Sequence, residues 1–190
     1  MTHVSVIGNG NMGRAISDIV TAGGNTVEVL GHGDTPPATG DIVVLAVPYP
    51  AVADVLAQRA DQLAGKVVVD ITNPLDFETF DALVVPADSS AAAEIAAGLP
   101  QSRVVKALNT TFAATLAAGK IGPLPTTVLI AGDDADAKAL LAGVIAAGGL
   151  RAIDAGSLAR ARELEAVGFL QLTLAVKEQV PWTGGFGVVA

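Results

Sequence analysis

Runs of consecutive apolar residues recur along the chain and alternate with stretches that have helical spacing. In the first half, such runs occupy residues 2–7, 26–30, 41–47 and 66–71. A strand covered by helices on both faces of a parallel sheet shows little alternation of apolar and polar positions. Helical stretches fit residues 14–21 and about 50–63. The pattern predicts an α/β fold with a Rossmann-type doubly wound, mostly parallel sheet.

A glycine-rich turn follows the first apolar run directly. Residues 8–13 read Gly-Asn-Gly-Asn-Met-Gly, which is G-x-G-x-x-G between a strand and a helix. Gly8 would permit the tight turn, Gly10 would let a pyrophosphate approach the backbone, and Gly13 would let the helix pack on the strand. The following helix would direct its uncapped N–H groups at that phosphate. This position in the chain predicts dinucleotide binding.

The second half continues the alternation of strands and helices. Strands fit residues 103–108, 126–131 and 150–153, and a final helix fits about 158–179. Residues 72–90 are irregular, and a loop of this length in a compact domain is usually functional. We expect residues 1–156 to form an NAD(P)-binding Rossmann domain. Residues 157–190 would add a C-terminal helix and a glycine-rich tail.

The second half of that final helix, residues 166–176, is apolar on nearly every side. A helix of this kind is buried, either in its own subunit or against a second chain. Both alternatives stay open, and we expect a homodimer.

The connection between the second and third strands is unusual. Its eleven residues, 31–41, include two prolines and three glycines, which do not allow a helix. We expect a bare loop where the adenosine ribose of a dinucleotide would lie.

That loop leaves the choice between NADP and NAD open. An acidic residue at the end of the second strand would select NAD, but Glu28 lies too early in the strand. His32 could contact a 2′-phosphate when protonated, and Asp34 could instead hold the ribose hydroxyls.

Composition narrows the remaining function classes. Cysteine is absent, so disulfides, thiolate nucleophiles and Fe–S clusters are excluded. The formal net charge of −8 argues against a nucleic-acid partner, and two histidines do not predict a metal site. No apolar run approaches the roughly 18–20 residues that span a bilayer. We expect no membrane partner and a cytoplasmic location.

The ends of the predicted strands carry small or neutral polar groups. They include Val47, residues 72–74 and residues 109–111. The lysine nearby, Lys106, lies inside a strand, and we interpret it as structural. General acid–base chemistry needs a His, Glu or Lys poised near neutrality. We therefore assign no catalytic side chain and expect a neutral redox partner of small size.

Several motifs occur together in the order found in a known family. They are residues 8–13, 44–48, 69–74, 106–110, 132–134, 154–158 with Arg162 and Glu165, and the glycine-rich terminus. Over nearly the whole chain they resemble the NADPH-dependent coenzyme F420 reductases, also called F420-dependent NADP oxidoreductases. The same domain is similar to the cytosolic part of the membrane ferric reductases.

The resemblance implies hydride transfer between NADP(H), with NAD as an alternative, and a deazaflavin or flavin-like partner of the coenzyme F420 type. It implies that a set of residues holds the dinucleotide: Gly8, Asn9, Gly10, Asn11, Met12, Gly31, His32, Val47, Ala51, Thr72, Asn73 and Asn109. A second set would border the deazaflavin: Asn109, Thr110, Thr111, Gly156, Ser157 and Arg162. The family usually has Ser/Thr-Arg where this chain has Gly31-His32.

Two other functions fit the same sequence. A catalytically silent dinucleotide sensor would need no acid–base residue, and a reductase of another small acceptor would share the same Rossmann domain. A dehydrogenase of the 3-hydroxyacid or imine-reducing kind is disfavoured, because little more than one helix follows Gly156.

Overall fold

The computed structural model describes residues 1–31 and 33–189, and its centre is a seven-stranded sheet. The strands of this sheet are β1 (His3–Ile7), β2 (Thr26–Leu30), β3 (Ile42–Leu45), β4 (Val67–Asp70), β5 (Arg103–Lys106), β8 (Thr127–Gly132) and β9 (Arg151–Gly156). A separate hairpin consists of β6 (Lys120–Ile121) and β7 (Leu124–Pro125). The helices are α1 (Asn11–Ala22), α2 (Tyr49–Leu63), α3 (Ala91–Gly98), α4 (Ala113–Ala118), α5 (Ala135–Ala147) and α6 (Ala161–Val176).

The sheet is mostly parallel, as predicted. Its strand order is β2-β1-β3-β4-β5-β8-β9, and only the β5–β8 pairing is antiparallel. The order reverses direction between β1 and β3, and such switch points are where open α/β sheets bind ligands, beyond the carboxyl ends of the strands. The doubly wound Rossmann-type prediction is therefore confirmed.

Two apolar clusters cover the two faces of the sheet. One joins residues of α1 and α5 to the sheet and includes Ile16 and Leu141. The other joins α2 and α3 to the opposite face and includes Val52 and Ile95. Both β3 and β4 are buried along their whole length. Burial on both faces explains why their sequences show no alternation.

The connection from β2 to β3 contains no helix among its described residues, as its prolines and glycines predicted. It is attached to the sheet through Glu28, which accepts hydrogen bonds from Ser5 Oγ and from Thr39, 2.7 Å from the backbone nitrogen. Partial burial alone would raise the pKa of Glu28, but the hydrogen bonds from Ser5 and Thr39 outweigh it and lower the pKa. Glu28 therefore anchors the loop between β2 and β3.

Some boundaries differ from the prediction. The final helix is shorter than predicted, because a 3₁₀ turn occupies Leu158–Arg160 and α6 ends at Val176. The sequence analysis did not predict α4 or the β6–β7 hairpin, because these elements are short and lack a clear hydrophobic period. This segment reverses the chain before β8, which accounts for the antiparallel β5–β8 pairing.

The second half of α6 is not buried on every side within this chain. Gly168, Gln171 and Ala175 are buried, but Leu170 and Val176 are 51% and 44% exposed. Burial inside the subunit therefore explains one side of the helix only. Across the part of the chain that the structure describes, no helix is long and apolar enough to cross a membrane.

Candidate functional site

The first and third glycines of the G-x-G-x-x-G turn are required by the fold itself. Gly8 has φ +117°, and a Cβ there would lie 2.1 Å from the carbonyl oxygen of Ala46. A Cβ on Gly13 would lie 2.1 Å from the carbonyl oxygen of Gly8. The two residues therefore bring β1, β3 and α1 closer than any side chain allows, as the sequence predicted.

Gly10 is different, because nothing among the described residues requires a glycine there. A Cβ would meet no heavy atom within 4 Å, and its φ of −70° and ψ of −171° suit any residue. The open space next to Gly10 lies in front of the first turn of α1, which has neither a side-chain cap nor an acidic residue. Ser90 and Asp134, by contrast, cap α3 and α5. An exposed, uncapped helix N-terminus favours an anion.

A cleft of about 310 Å³ lies on one side of the glycine turn, at the carboxyl ends of β1, β2 and β3. We call it the glycine cleft. Six residues that the sequence assigned to the dinucleotide line it: Gly8, Asn9, Gly10, Gly31, Val47 and Ala51. His32, which the sequence also assigned there, lies outside the described residues.

Asp34 and Arg59 shape the outer part of the glycine cleft, which Asp54 also lines. Asp34 Oδ2 accepts a hydrogen bond of 2.6 Å from the backbone N–H of Gly31. Arg59, from α2, is 7% exposed and donates to the carbonyl oxygens of Pro36 (2.7 Å) and Asp34. The guanidinium therefore holds the loop in place, while the Asp34 carboxylate lies among the residues that line the cleft.

A second cleft, of about 380 Å³, lies on the other side of the turn. We call it the asparagine cleft, because Asn11, Asn73 and Asn109 line it. Five of the predicted residues meet here: Asn11, Met12, Asn73, Asn109 and Thr111. Its other walls are mostly apolar and come from Ile71, Phe112, Ala113, Ala114, Leu172 and Trp182. None of these lining residues carries a charge.

Asn73 and Asn109 are locked together at the base of the asparagine cleft. Asn73 Nδ2 donates to the carbonyl oxygen of Asn109, and Asn109 Nδ2 donates to Asn73 Oδ1, both at 2.9 Å. Asn109 Nδ2 also donates to the carbonyl oxygen of Leu164 at 2.8 Å. Because both partners of Nδ2 are acceptors, the amide orientation is fixed. Asn109 Oδ1 is then a buried acceptor without a donor among the described residues.

The backbone around Asn109 is also held unusually. The preceding residue, Leu108, is buried and has φ +66°, a backbone conformation that residues other than glycine rarely adopt. On the opposite side, a Cβ on Gly168 of α6 would lie 2.3 Å from Asn73 Oδ1. Strained backbone and close packing of this kind cluster at functional sites.

A buried charge network lies beneath the asparagine pair. Lys106 Nζ is 2.8 Å from Asp70 Oδ2, 2.9 Å from Glu165 Oε1 and 2.5 Å from the carbonyl oxygen of Thr72. The side chains of Lys106, Asp70 and Glu165 are 0–1% exposed. The ammonium has three N–H donors, and each has an acceptor. Lys106 is therefore structural, as the sequence suggested, although its two carboxylate partners were not foreseen.

Glu165 extends the network to α3. Its Oε2 accepts from the backbone N–H of Ala91 at 3.0 Å, and its Oε1 from that of Ala92 at 3.3 Å. Burial raises the pKa of Glu165, which Lys106 and the Ala91 N–H only partly offset. The network thus joins β4, β5, α3 and α6 directly below the asparagine cleft.

The remaining predicted residues line neither cleft. Thr72 is buried, and its Oγ1 has no partner among the described residues. Thr110 is also buried. Gly156 ends β9 and donates its N–H to Asp154 Oδ1, and Ser157 follows it. Arg162 lies on α6 beside the loop of residues 81–89.

Sequence reasoning missed several residues that shape the site. Phe112, Leu172 and Trp182 line the asparagine cleft, and Arg59 holds the loop between β2 and β3. Charged residues at the ends of two buried strands, Asp70 of Val67–Asp70 and Lys106 of Arg103–Lys106, were the visible signal for the buried network. Nothing local marks the other residues, because each acts through a contact with a distant segment.

A family model and two of the curated relatives point to one family. The family model described as "NADP oxidoreductase coenzyme F420-dependent" matches residues 37–74. The F420-dependent NADP reductase of Methanocaldococcus jannaschii is 34% identical over 76% of this chain and 66% of its own length. That of Methanothermobacter thermautotrophicus is 32% identical over 88% of this chain and 75% of its own length.

A solved structure points the same way. It is a protein from Arthrobacter sp. FB24 that is provisionally named an F420-dependent NADP-reductase, with a TM-score of 0.86 and 25% identity over the whole of both chains. The chain spans about two thirds of the length of the M. jannaschii enzyme and three quarters of that of the M. thermautotrophicus enzyme. With more than 30% identity over this share of a curated relative, the chain belongs to the family of the F420-dependent NADP reductases.

Proposed function

We propose that the chain is an NAD(P)-dependent oxidoreductase that transfers hydride between NADP(H) and coenzyme F420. The observation that carries this proposal is the position of the glycine turn between two clefts. An anion at Gly10 would have the glycine cleft on one side and the asparagine cleft on the other. A dinucleotide has this layout, with an adenosine and a nicotinamide on either side of a pyrophosphate.

The chain's own groups suit each part of the dinucleotide. The first turn of α1 would bind the pyrophosphate through its backbone N–H groups and its positive end. The side chains of Asn73 and Asn109, which line the asparagine cleft, would contact the carboxamide of the nicotinamide.

Hydride transfer also explains why the asparagine cleft carries no charged side chain among its lining residues. When bound, the dihydronicotinamide supplies a hydride, which carries two electrons, and the deazaflavin accepts it together with one proton from water. The contribution of the protein is to hold the two rings in contact and to exclude water from between them. Such a site needs apolar walls and fixed amides rather than a general acid or base.

Residue roles and assembly follow as part of the same proposal. Residues 1–156 would act as the dinucleotide-binding domain, and residues 157–190 would complete it. The half-exposed Leu170 and Val176 on α6 support a homodimer, and size-exclusion chromatography with light scattering measures it directly. A cytoplasmic location completes the proposal.

The test mixes the purified chain with reduced coenzyme F420 and either NADP⁺ or NAD⁺, and follows the return of oxidised F420 absorbance. We expect turnover with NADP⁺. Nucleotide binding without turnover of F420 would instead support the silent sensor, or a reductase of another acceptor.

A further inference from the structure

We propose that Trp182 is a positioning residue for the redox partner of this enzyme, forming the aromatic wall on which the planar deazaflavin ring rests. Trp182 is the one tryptophan of the chain and lines the asparagine cleft. This inference rests on the proposed function, since it assigns a residue to the second ring of the same site.

The ring of Trp182 lies at the mouth of the cleft and is only half covered. Its ring centroid is 4.9 Å from that of Phe112, with an angle of 55° between the planes, while 52% of the residue is exposed. Phe112 is 8% exposed. Phe112 thus supports the indole from one side, and solvent reaches the other. A large aromatic surface left in water next to a cleft favours a ligand that covers it.

The tail that carries Trp182 is fastened to α6 on both sides of the indole. Before it, the N–H of Gln179 donates to the carbonyl oxygen of Leu174 at 2.9 Å. After it, the N–H of Phe186 donates at 3.1 Å to Oε1 of Gln171, whose side chain is 1% exposed. A turn closed by Gly184 N–H and the carbonyl oxygen of Pro181, at 2.8 Å, holds Trp182 between these anchors.

Close packing of the glycines strengthens this attachment. A Cβ on Gly185 would lie 2.9 Å from Gln171 Oε1, and one on Gly187 would lie 2.7 Å from Leu124 Cδ1. The glycine-rich tail is therefore built to lie flat against α6 and the β6–β7 hairpin. The contacts of Gln171, Gly185 and Gly187 thus hold Trp182 in one position, although Trp182 itself is half exposed.

The cleft suits a flat ring with polar edges. Its apolar side chains, among them Met12, Ile71 and Leu172, would contact ring faces, and its amides would contact ring edges. The nicotinamide occupies the part nearest Asn109 in the proposed function. The part between the nicotinamide and the indole is then left for the second ring, which would stack on Trp182.

The experiment compares steady-state kinetics of four full-length proteins: wild type, Trp182→Phe, Trp182→Leu and Phe186→Leu. Trp182→Leu keeps an apolar side chain but removes the aromatic face, so we expect the KM for F420 to rise about tenfold. Trp182→Phe should stay within about threefold of wild type, because a phenyl ring still offers a face. The KM for NADPH should be the same in all four. Phe186→Leu loses an exposed aromatic from the same tail, lines neither cleft and serves as the matched control.

A thermal melt of each protein accompanies the kinetics, so that a loss of folding is recognised. A selective rise of the F420 KM in Trp182→Leu, with recovery in Trp182→Phe, supports the role of the indole. Unchanged F420 kinetics in a folded Trp182→Leu, or an equal rise in Phe186→Leu, would overturn it and leave the proposed function standing. A wild-type chain that binds NADPH but never reduces F420 would overturn the proposed function, and the role of Trp182 with it.

Discussion

Replacing Lys106 with methionine tests the buried charge network under the asparagine cleft. The substitution roughly conserves volume but removes the ammonium, which would leave Asp70 Oδ2, Glu165 Oε1 and the Thr72 carbonyl oxygen without this donor. Breaking a buried ion pair from one side typically costs about 3–5 kcal/mol, because the remaining charge is uncompensated. For a chain of this length, 1 kcal/mol shifts Tm by about 2–4 °C, so Lys106→Met should lower Tm by roughly 6–20 °C.

The cost should depend on pH with a defined sign. Burial already raises the pKa of Glu165 above its ordinary value of 4.5, and Lys106 opposes that rise. Without Lys106 the pKa of Glu165 in the folded protein rises further above its value in the unfolded chain. Between these two pKa values the folded variant therefore binds more protons than the unfolded chain. Its free energy of unfolding then falls as pH increases through that window. The deficit relative to wild type should be largest at neutral pH and shrink as the pH approaches 4.5.

Chemical denaturation of both proteins across this pH range measures the effect. Arg160→Met is the matched control, because Arg160 pairs with Glu163 at 3.1 Å where both side chains are 53% exposed, and such pairs contribute little. The double variant with Glu165→Gln should recover part of the loss, since it removes one of the two unpaired carboxylates. A Lys106→Met protein as stable as Arg160→Met at neutral pH would refute the reasoning.

Three further predictions concern the dinucleotide. Gly10→Val should weaken nucleotide binding at least 100-fold, measured by calorimetry, with an unchanged Tm, because the valine side chain fills only the open space at the α1 N-terminus. Gly143→Ala, where an added Cβ also meets nothing within 4 Å, is the control, and equal nucleotide affinity in both variants would contradict a phosphate at Gly10. Asp34→Asn should raise the affinity for NADPH relative to NADH about threefold to tenfold, because it removes a negative charge from the glycine cleft; an unchanged ratio would place the 2′-phosphate elsewhere. Arg59→Met should weaken both nucleotides and speed proteolysis of the 33–41 loop, because the carbonyl oxygens of Asp34 and Pro36 lose their donor; intact protease resistance would count against that anchoring role.

The sequence alone determined the parts of this protein that depend on neighbouring residues. Continuous apolar runs identified the parallel strands, because a strand buried on both faces needs no alternation. The prolines and glycines of residues 31–41 excluded a crossover helix, since they restrict the backbone locally. The spacing of Gly8 and Gly13 predicted two close backbone contacts, and the structure contains both, of Gly8 with Ala46 and of Gly13 with Gly8. The family resemblance rested on the same local motifs.

Only the tertiary structure decided which distant side chains meet. Asn73 and Asn109 are 36 positions apart and pair because β4 and β5 are neighbours with Asp70 opposite Lys106 in register. Glu165 reaches Lys106 because α6 packs beneath the same strand ends, and Trp182 reaches the cleft because Gln171 holds the tail. No local pattern encodes these contacts, because each depends on strand register and helix packing that form only when the whole chain has folded. The charge network and the aromatic wall of the site are therefore properties of the fold.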